Sequence, residues 1–195
     1  VMTRLPLVIS VPHGGVETPP ELSAASALDS RGILEDGDAF TRDLYNFRHI
    51  ATGFVEAHIA RAFVDLNRAP HDRPPENPDG VVKTRTATTR EVYLPGKFPD
   101  DKLISSLLER YYYPYHGEIE EAVRRPGVLA GIDCHSMMPA APAFAQRPGE
   151  NRPAVCIGNG GAAGGGGGGR LTCSPAAAVA LAEAVGNALG LRPRD

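Results

Sequence analysis

The sequence runs to 195 residues, 42% hydrophobic and 22% charged, with a formal net charge of -3. That size suits one domain with a sizeable core, and scattered Lys and Arg leave no basic face for nucleic acid. No apolar stretch approaches the roughly 20 residues of a membrane span, and the start, Val1 to Val11, lacks a secretory-signal pattern. Cys134, Cys156 and Cys173 are odd in number and widely spaced. They predict a reducing, cytoplasmic setting, with no disulfide framework and no zinc ribbon.

In chain order, Leu7 to Val11 is an apolar run ending at Pro12 and predicts a buried strand. The Gly- and Pro-rich stretch from His13 to Pro20 follows as a loop. Asp38 opens a predicted helix to about Ile50, with Phe40, Leu44 and Phe47 near helical spacing. Phe54 to Ile59 and Phe63 to Leu66 are short apolar runs, the second leading into Asp65-Leu66-Asn67-Arg68 as a strand end. Four prolines between Pro70 and Asp79 enforce irregular chain. A helix is predicted from Pro99-Asp100-Asp101, with Leu103, Leu107, Tyr111 and Tyr115 in phase, and Pro114 is expected to kink or divide it before Arg125. Val128 to Asp133 and Ala154 to Ile157 predict further strands. Gly164 to Gly169 is an unbroken glycine run, either a flexible linker by composition or a stretch of unidentified side chains, so 159–170 is a Gly-rich loop or unassigned segment. Pro175 to Leu189 predicts a final helix closed by Gly190. Alternating strands and helices make an α/β domain.

Two strings carry the chemistry: Val11-Pro12-His13-Gly14-Gly15 and Ile132-Asp133-Cys134-His135-Ser136. Each puts a histidine just past a strand, and ligands of open α/β sheets gather at the carboxyl ends of strands. A catalytic zinc needs three ligands from His and carboxylate with a place left for water. His13 and His135 are two candidates, and Glu17 or Asp38 the third. Asp133 is placed to orient a histidine ring, whereas Cys134 faces the core. Asn67 and Arg68 offer a bidentate clamp for a substrate acid group or a carbonyl oxygen. Each feature taken singly also has an ordinary structural explanation: a hydrogen-bonded strand-end histidine, an N-cap at Asp36 or Asp38, a surface ion pair at Arg68. His116 is a weaker pocket candidate, His58 and His71 lack sequence partners, and Ser136 lacks the G-x-S-x-G setting of a nucleophile.

Five segments occur in the order seen in N-formylglutamate amidohydrolases, which the sequence resembles over nearly its whole length. They are Pro12-His13-Gly14-Gly15, Glu35-Asp36-Gly37-Asp38, Asp65-Leu66-Asn67-Arg68, Pro114-Tyr115-His116 and Asp133-Cys134-His135-Ser136-Met137. Cys156-Ile157-Gly158 and Thr172-Cys173-Ser174-Pro175 resemble the family's later segment. The resemblance implies a three-layer α/β sandwich with a mixed, mostly parallel sheet, like zinc carboxypeptidases and aspartoacylases. It implies Zn2+ on His13, His135 and a carboxylate, with Asn67, Arg68 and Ser136 binding substrate and Arg68 serving catalysis. The carboxypeptidase pattern has Glu three residues after the first histidine; here that position is Val16, so Glu17 and Asp38 both stand as the carboxylate ligand. The general base implied by the family lies beyond residue 195.

The expected reaction is hydrolysis of a small acidic N-acyl amino acid, N-formylglutamate giving formate and glutamate in histidine catabolism. Within the same fold the rivals are a carboxypeptidase-like peptide or amide hydrolase and a non-catalytic acid-binding domain. The sequence leaves the oligomeric state open.

Overall fold

The computed structural model describes residues 4–141, 147–160 and 171–191. Its elements are β1 (Leu5–Val11), α1 (Ser30–Asp36), α2 (Thr41–Leu44), β2 (Ala51–Glu56), α3 (Asp101–Leu107), α4 (Tyr113–Val123), β3 (Ala130–Asp133) and α5 (Pro175–Leu189). They divide into two compact units. The first holds every element through β3; the second holds Met138–Ala141 and the chain from Arg147 onward, with α5.

In the first unit three parallel strands lie in the order β2-β1-β3. β1 is the central strand, and its continuous apolar run follows from burial on both faces. Val8 packs into a large core with Val55, Phe63, Val64, Val81, Val82, Leu107 and Leu108, while Ile9 and Val11 join Ala51 and Cys134 in a smaller one. The change of side between Val8 and Ile9 is the period-2 alternation of a strand. β2 alternates buried and half-buried positions, as an edge strand with one core face does.

α3 starts where Pro99-Asp100-Asp101 predicted it: the Asp100 side chain accepts the Leu103 N–H at 2.8 Å and caps the first turn. Pro114 is absorbed without ending the helical path. A π-helical turn over Leu108–Tyr112 precedes it, and the Tyr113 N–H reaches the Leu108 carbonyl. The wider turn accommodates a residue that has no N–H and crowds the preceding carbonyls. α5 has the expected terminal asymmetry, a Ser174 cap on the Ala177 N–H, Pro175 in the first turn and Gly190 left-handed at φ 65°.

Several expected elements take another form. The helix expected over 38–50 shrinks to α2, because Phe40 is left-handed (φ 63°) and only Thr41 of the helix is buried. Phe40, Leu44 and Phe47 all face outward, so no packed face sustains a longer helix. The strand expected over 54–59 begins earlier, at Ala51, and ends at Glu56. Phe63 to Leu66 is buried turn rather than strand, with the Phe63 and Val64 N–H groups both donating to the Ala60 carbonyl. A short apolar run suits a buried turn as well as a buried strand. Ala154 to Ile157 forms no strand, and Val155 is exposed. The glycine run at 164–169 lies outside the described residues. Among the described residues no helix is long and apolar enough to cross a membrane.

Candidate metal centre

Parallel pairing of β1 with β3 sets Ser10 opposite Asp133. Residues just past the two strands therefore emerge at the same carboxyl edge, where β1 has neighbours on both sides, the switch point at which ligands bind. His13 leaves β1 there and His135 leaves β3. Their rings meet edge to face with centroids 4.8 Å apart. Asp38 is delivered by the turn after α1, its backbone N–H donating to the His13 carbonyl at 3.0 Å. The close approach needs Gly15, since a Cβ there would lie 2.4 Å from the His58 backbone carbonyl.

One ligand-type atom from each of His13, Asp38 and His135 lies within 4.8 Å of the others. Asp38 Oδ2 is 3.7 Å from His13 Nδ1 and 3.0 Å from His135 Nδ1, and it accepts the Ser136 N–H at 3.0 Å. Each histidine turns its other nitrogen to a carboxylate: His13 Nε2 to Asp65 Oδ1 at 2.7 Å, and His135 Nε2 to Asp133 Oδ2 at 2.8 Å. Ser10 donates to the second oxygen of Asp133 and fixes its orientation, and the Tyr45 hydroxyl donates to the His135 carbonyl.

Burial would raise the Asp38 and Asp65 carboxyls, but the histidines, and for Asp65 also Arg61 and Lys83, hold both well below the usual carboxylate range. An ionised carboxylate only accepts, so His13 Nε2 donates to Asp65 Oδ1, and Nδ1 of the same ring faces Asp38 Oδ2 at 3.7 Å. Buried as it is, His13 Nδ1 has no hydrogen-bond partner. Burial lowers the His135 pKa, yet hydrogen bonds to Asp133 and Asp38 outweigh it and push it up to about 9.

Glu17, the alternative to Asp38, stands outside this cluster. Its backbone pairs with the 58–60 segment, its N–H donating to the His58 carbonyl, and its carboxylate faces solvent 3.9 Å from His58 Nδ1. Asn67 is exposed. Arg68 is committed to Asp79, donating from Nε to its carbonyl at 2.9 Å and from Nη2 to Oδ2 at 2.6 Å. His116 Nε2 meets the Leu66 carbonyl at 2.9 Å and the Tyr112 hydroxyl donates to the Arg68 carbonyl at 2.8 Å, so α4 and the π turn hold the 66–68 segment. Cys134 is buried as expected, its thiol pushed up to about 11 by burial and by Asp133. His71 is exposed.

Two residues escape the sequence reading. Arg61 Nη2 donates to Asp65 Oδ2 at 3.0 Å, with Nη1 3.8 Å from Asp38 Oδ1. Lys83 is fully buried among Asp36, Asp65 and Asp79. The signal for Lys83 is a charge set directly behind the apolar pair Val81-Val82. Beside the cluster opens a cavity of about 390 Å³, with His13, Gly14, Asp38, Phe40, Arg42 and Arg48 in its wall.

A family model described as N-formylglutamate amidohydrolase matches residues 5–195. The chain belongs to the N-formylglutamate amidohydrolase family. It is 30% identical over 146 residues, 71% of this chain and 54% of the relative, to an N-formylglutamate deformylase of Pseudomonas aeruginosa. It is 29% identical over 125 residues, 63% of this chain and 46% of the relative, to one of Pseudomonas putida. The chain thus spans about half the length of these curated relatives. The crystal structure of the N-formylglutamate amidohydrolase from Ralstonia eutropha JMP134 shares the fold, with a TM-score of 0.57 and 22% identity over 69% of this chain and 55% of that one.

Proposed function

We propose that this chain carries the metal centre of a zinc-dependent amidohydrolase that cleaves N-formylglutamate to formate and glutamate. The observation that carries the reading is His13 Nδ1, a buried nitrogen with no hydrogen-bond partner, 3.7 Å from Asp38 Oδ2 and clustered with His135. Two imidazoles and a carboxylate are a zinc donor set, and a carboxylate behind each ring is the arrangement that orients metal-binding histidines. The donors fit: His13, Asp38 and His135 would hold the ion, and Asp65 and Asp133 aim the rings. A cation there would displace the proton shared by His135 Nδ1 and Asp38, so metal uptake would release a proton. Zinc held there would supply a Lewis acid for the formyl carbonyl and for an attacking water near neutral pH.

The protein's own part is placement. Arg68, anchored on Asp79 through Nε and Nη2, offers its remaining N–H groups to a substrate carboxylate, and Asn67 and Ser136 add neutral hydrogen bonds. Water adds across the C–N bond, the hydroxyl going to the formyl carbon and the proton to the leaving amine. The likeness of family names favours this substrate, and with it a cytoplasmic place in histidine breakdown and a three-layer, zinc-carboxypeptidase-like architecture for the whole enzyme.

Metal analysis tests the centre: about one zinc per chain is expected, lost on His13→Ala or His135→Ala. Stoichiometric zinc retained in the double variant sinks the ligand assignment. Formate release from N-formylglutamate by the full-length enzyme tests the reaction, and release of amino acids from peptides instead redirects it to a peptidase.

A further inference from the structure

Lys83 is the most unusual side chain outside the cluster. Its side chain is 0% exposed, with Nζ 2.7 Å from Asp79 Oδ1, 3.5 Å from Asp36 Oδ2 and 3.6 Å from Asp65 Oδ2. Burying an ammonium is costly, and an apolar side chain of similar volume often serves stability as well or better. What a hydrocarbon lacks at this place is the ability to hold carboxylates together.

Two of those carboxylates lead to functional candidates. Asp65 Oδ1 meets His13 Nε2 and also accepts the Asn67 N–H at 3.0 Å. Asp79 Oδ2 accepts from Arg68 Nη2. A continuous chain of charge thus runs His13, Asp65, Lys83, Asp79, Arg68, from the cluster to the guanidinium expected to bind an acid group. Asp36, the third partner, takes the Ala87 N–H on its other oxygen at 2.6 Å and ties the Lys83 segment to α1. Without the ammonium, Arg61 still faces Asp65 and Arg68 still faces Asp79, but nothing bridges the carboxylates to one another and their mutual repulsion drives them apart. Asp65 gives Oδ1 to His13 and the Asn67 N–H and Oδ2 to Arg61, so a rotation that follows the loss of Lys83 shifts Oδ1 against the His13 ring.

We propose that Lys83 is a positioning residue, one buried ammonium that holds Asp65 behind His13 and Asp79 against Arg68 and so aligns the metal-holding and acid-binding halves of the centre. This rests on the zinc reading above. The alternative, a lysine that serves the fold alone, makes different predictions, and so does a purely electrostatic effect, because removing a nearby positive charge would tighten the hold on a dication.

The test compares Lys83→Met and Asp79→Asn with the wild-type chain, and uses His13→Ala and Arg68→Ala as references. The readouts are Zn2+ affinity by chelator competition, glutamate binding to the zinc-loaded protein by calorimetry, and melting temperature. For Lys83→Met the expected loss of zinc affinity is about 10- to 100-fold, the usual effect of disturbing a group behind a metal ligand, with weaker glutamate binding. Asp79→Asn alters a partly exposed side chain and keeps Lys83 beside Asp65. Its zinc affinity is expected to stay within about 2-fold of wild type, while glutamate binding weakens by about 10-fold or more with the loss of a charged anchor for Arg68. Lys83→Met that melts earlier but binds zinc at wild-type strength or tighter overturns the proposal. If Lys83→Met does not fold, unchanged glutamate binding in Asp79→Asn overturns it. Zinc retained by His13→Ala, or glutamate binding untouched in Arg68→Ala, instead overturns the reading on which the proposal rests.

Discussion

At the scale of single residues, the candidate centre is a matter of which atom each side chain turns inward. His13 and His135 both present Nδ1, because Asp65 and Asp133 claim Nε2. The meeting of the histidines with Asp38, and the contact of Asp133 with a histidine ring, were legible in the sequence, since strand-end position and residue type together limit what such groups meet. Arg61 and Lys83 were not, because their partners include segments that only tertiary packing brings near. Glu17 shows the opposite error: closeness in sequence to His13 counts for little once its backbone is paired with the 58–60 segment. Gly15 gives a direct check. Gly15→Ala forces a Cβ against the His58 backbone, and a loss of about 1–3 kcal/mol is expected by urea denaturation. A neutral result would mean that the loop carrying His13 has slack.

At the scale of elements, strands and capped helices followed the sequence where a packed face or a cap agreed with the pattern. β1, α3 and α5 are of this kind. The 38–50 segment failed because helical spacing of Phe40, Leu44 and Phe47 finds no core to face, and spacing alone cannot reveal that. Phe63 to Leu66 failed for the reverse reason: it is buried so thoroughly that a turn satisfies it. α3 anchors the large core through Leu107, which is fully buried. Leu107→Ala is expected to cost about 2–5 kcal/mol from lost transfer and the cavity left behind, read as a fall in the urea midpoint at unchanged slope. A change below 1 kcal/mol, about the least expected for such a truncation, would place α3 outside the cooperative core.

At the scale of the whole molecule, paired carboxylates set the response to acid. Burial alone would raise Asp79 and Glu56; Lys83 and Arg68 for the first, and Arg42 and Arg48 for the second, outweigh it and hold both below their ordinary values of 3.8 and 4.5. A depressed folded-state pKa contributes stability that is full above the unfolded value and is lost as pH falls through the folded one. Denaturation midpoints are therefore expected to be flat with respect to these groups above about pH 5 and to decline below about pH 4; a midpoint that rises on acidification to pH 3 contradicts this account. The strand order β2-β1-β3 carries a consequence for synthesis. β1 leaves the ribosome early with one edge still bare, and the partner for that edge arrives only after α4 has been made. The first imidazole must wait for β3, so until then a nascent chain lacks His135, and on the zinc reading capture of the ion would report that β3 has paired with β1.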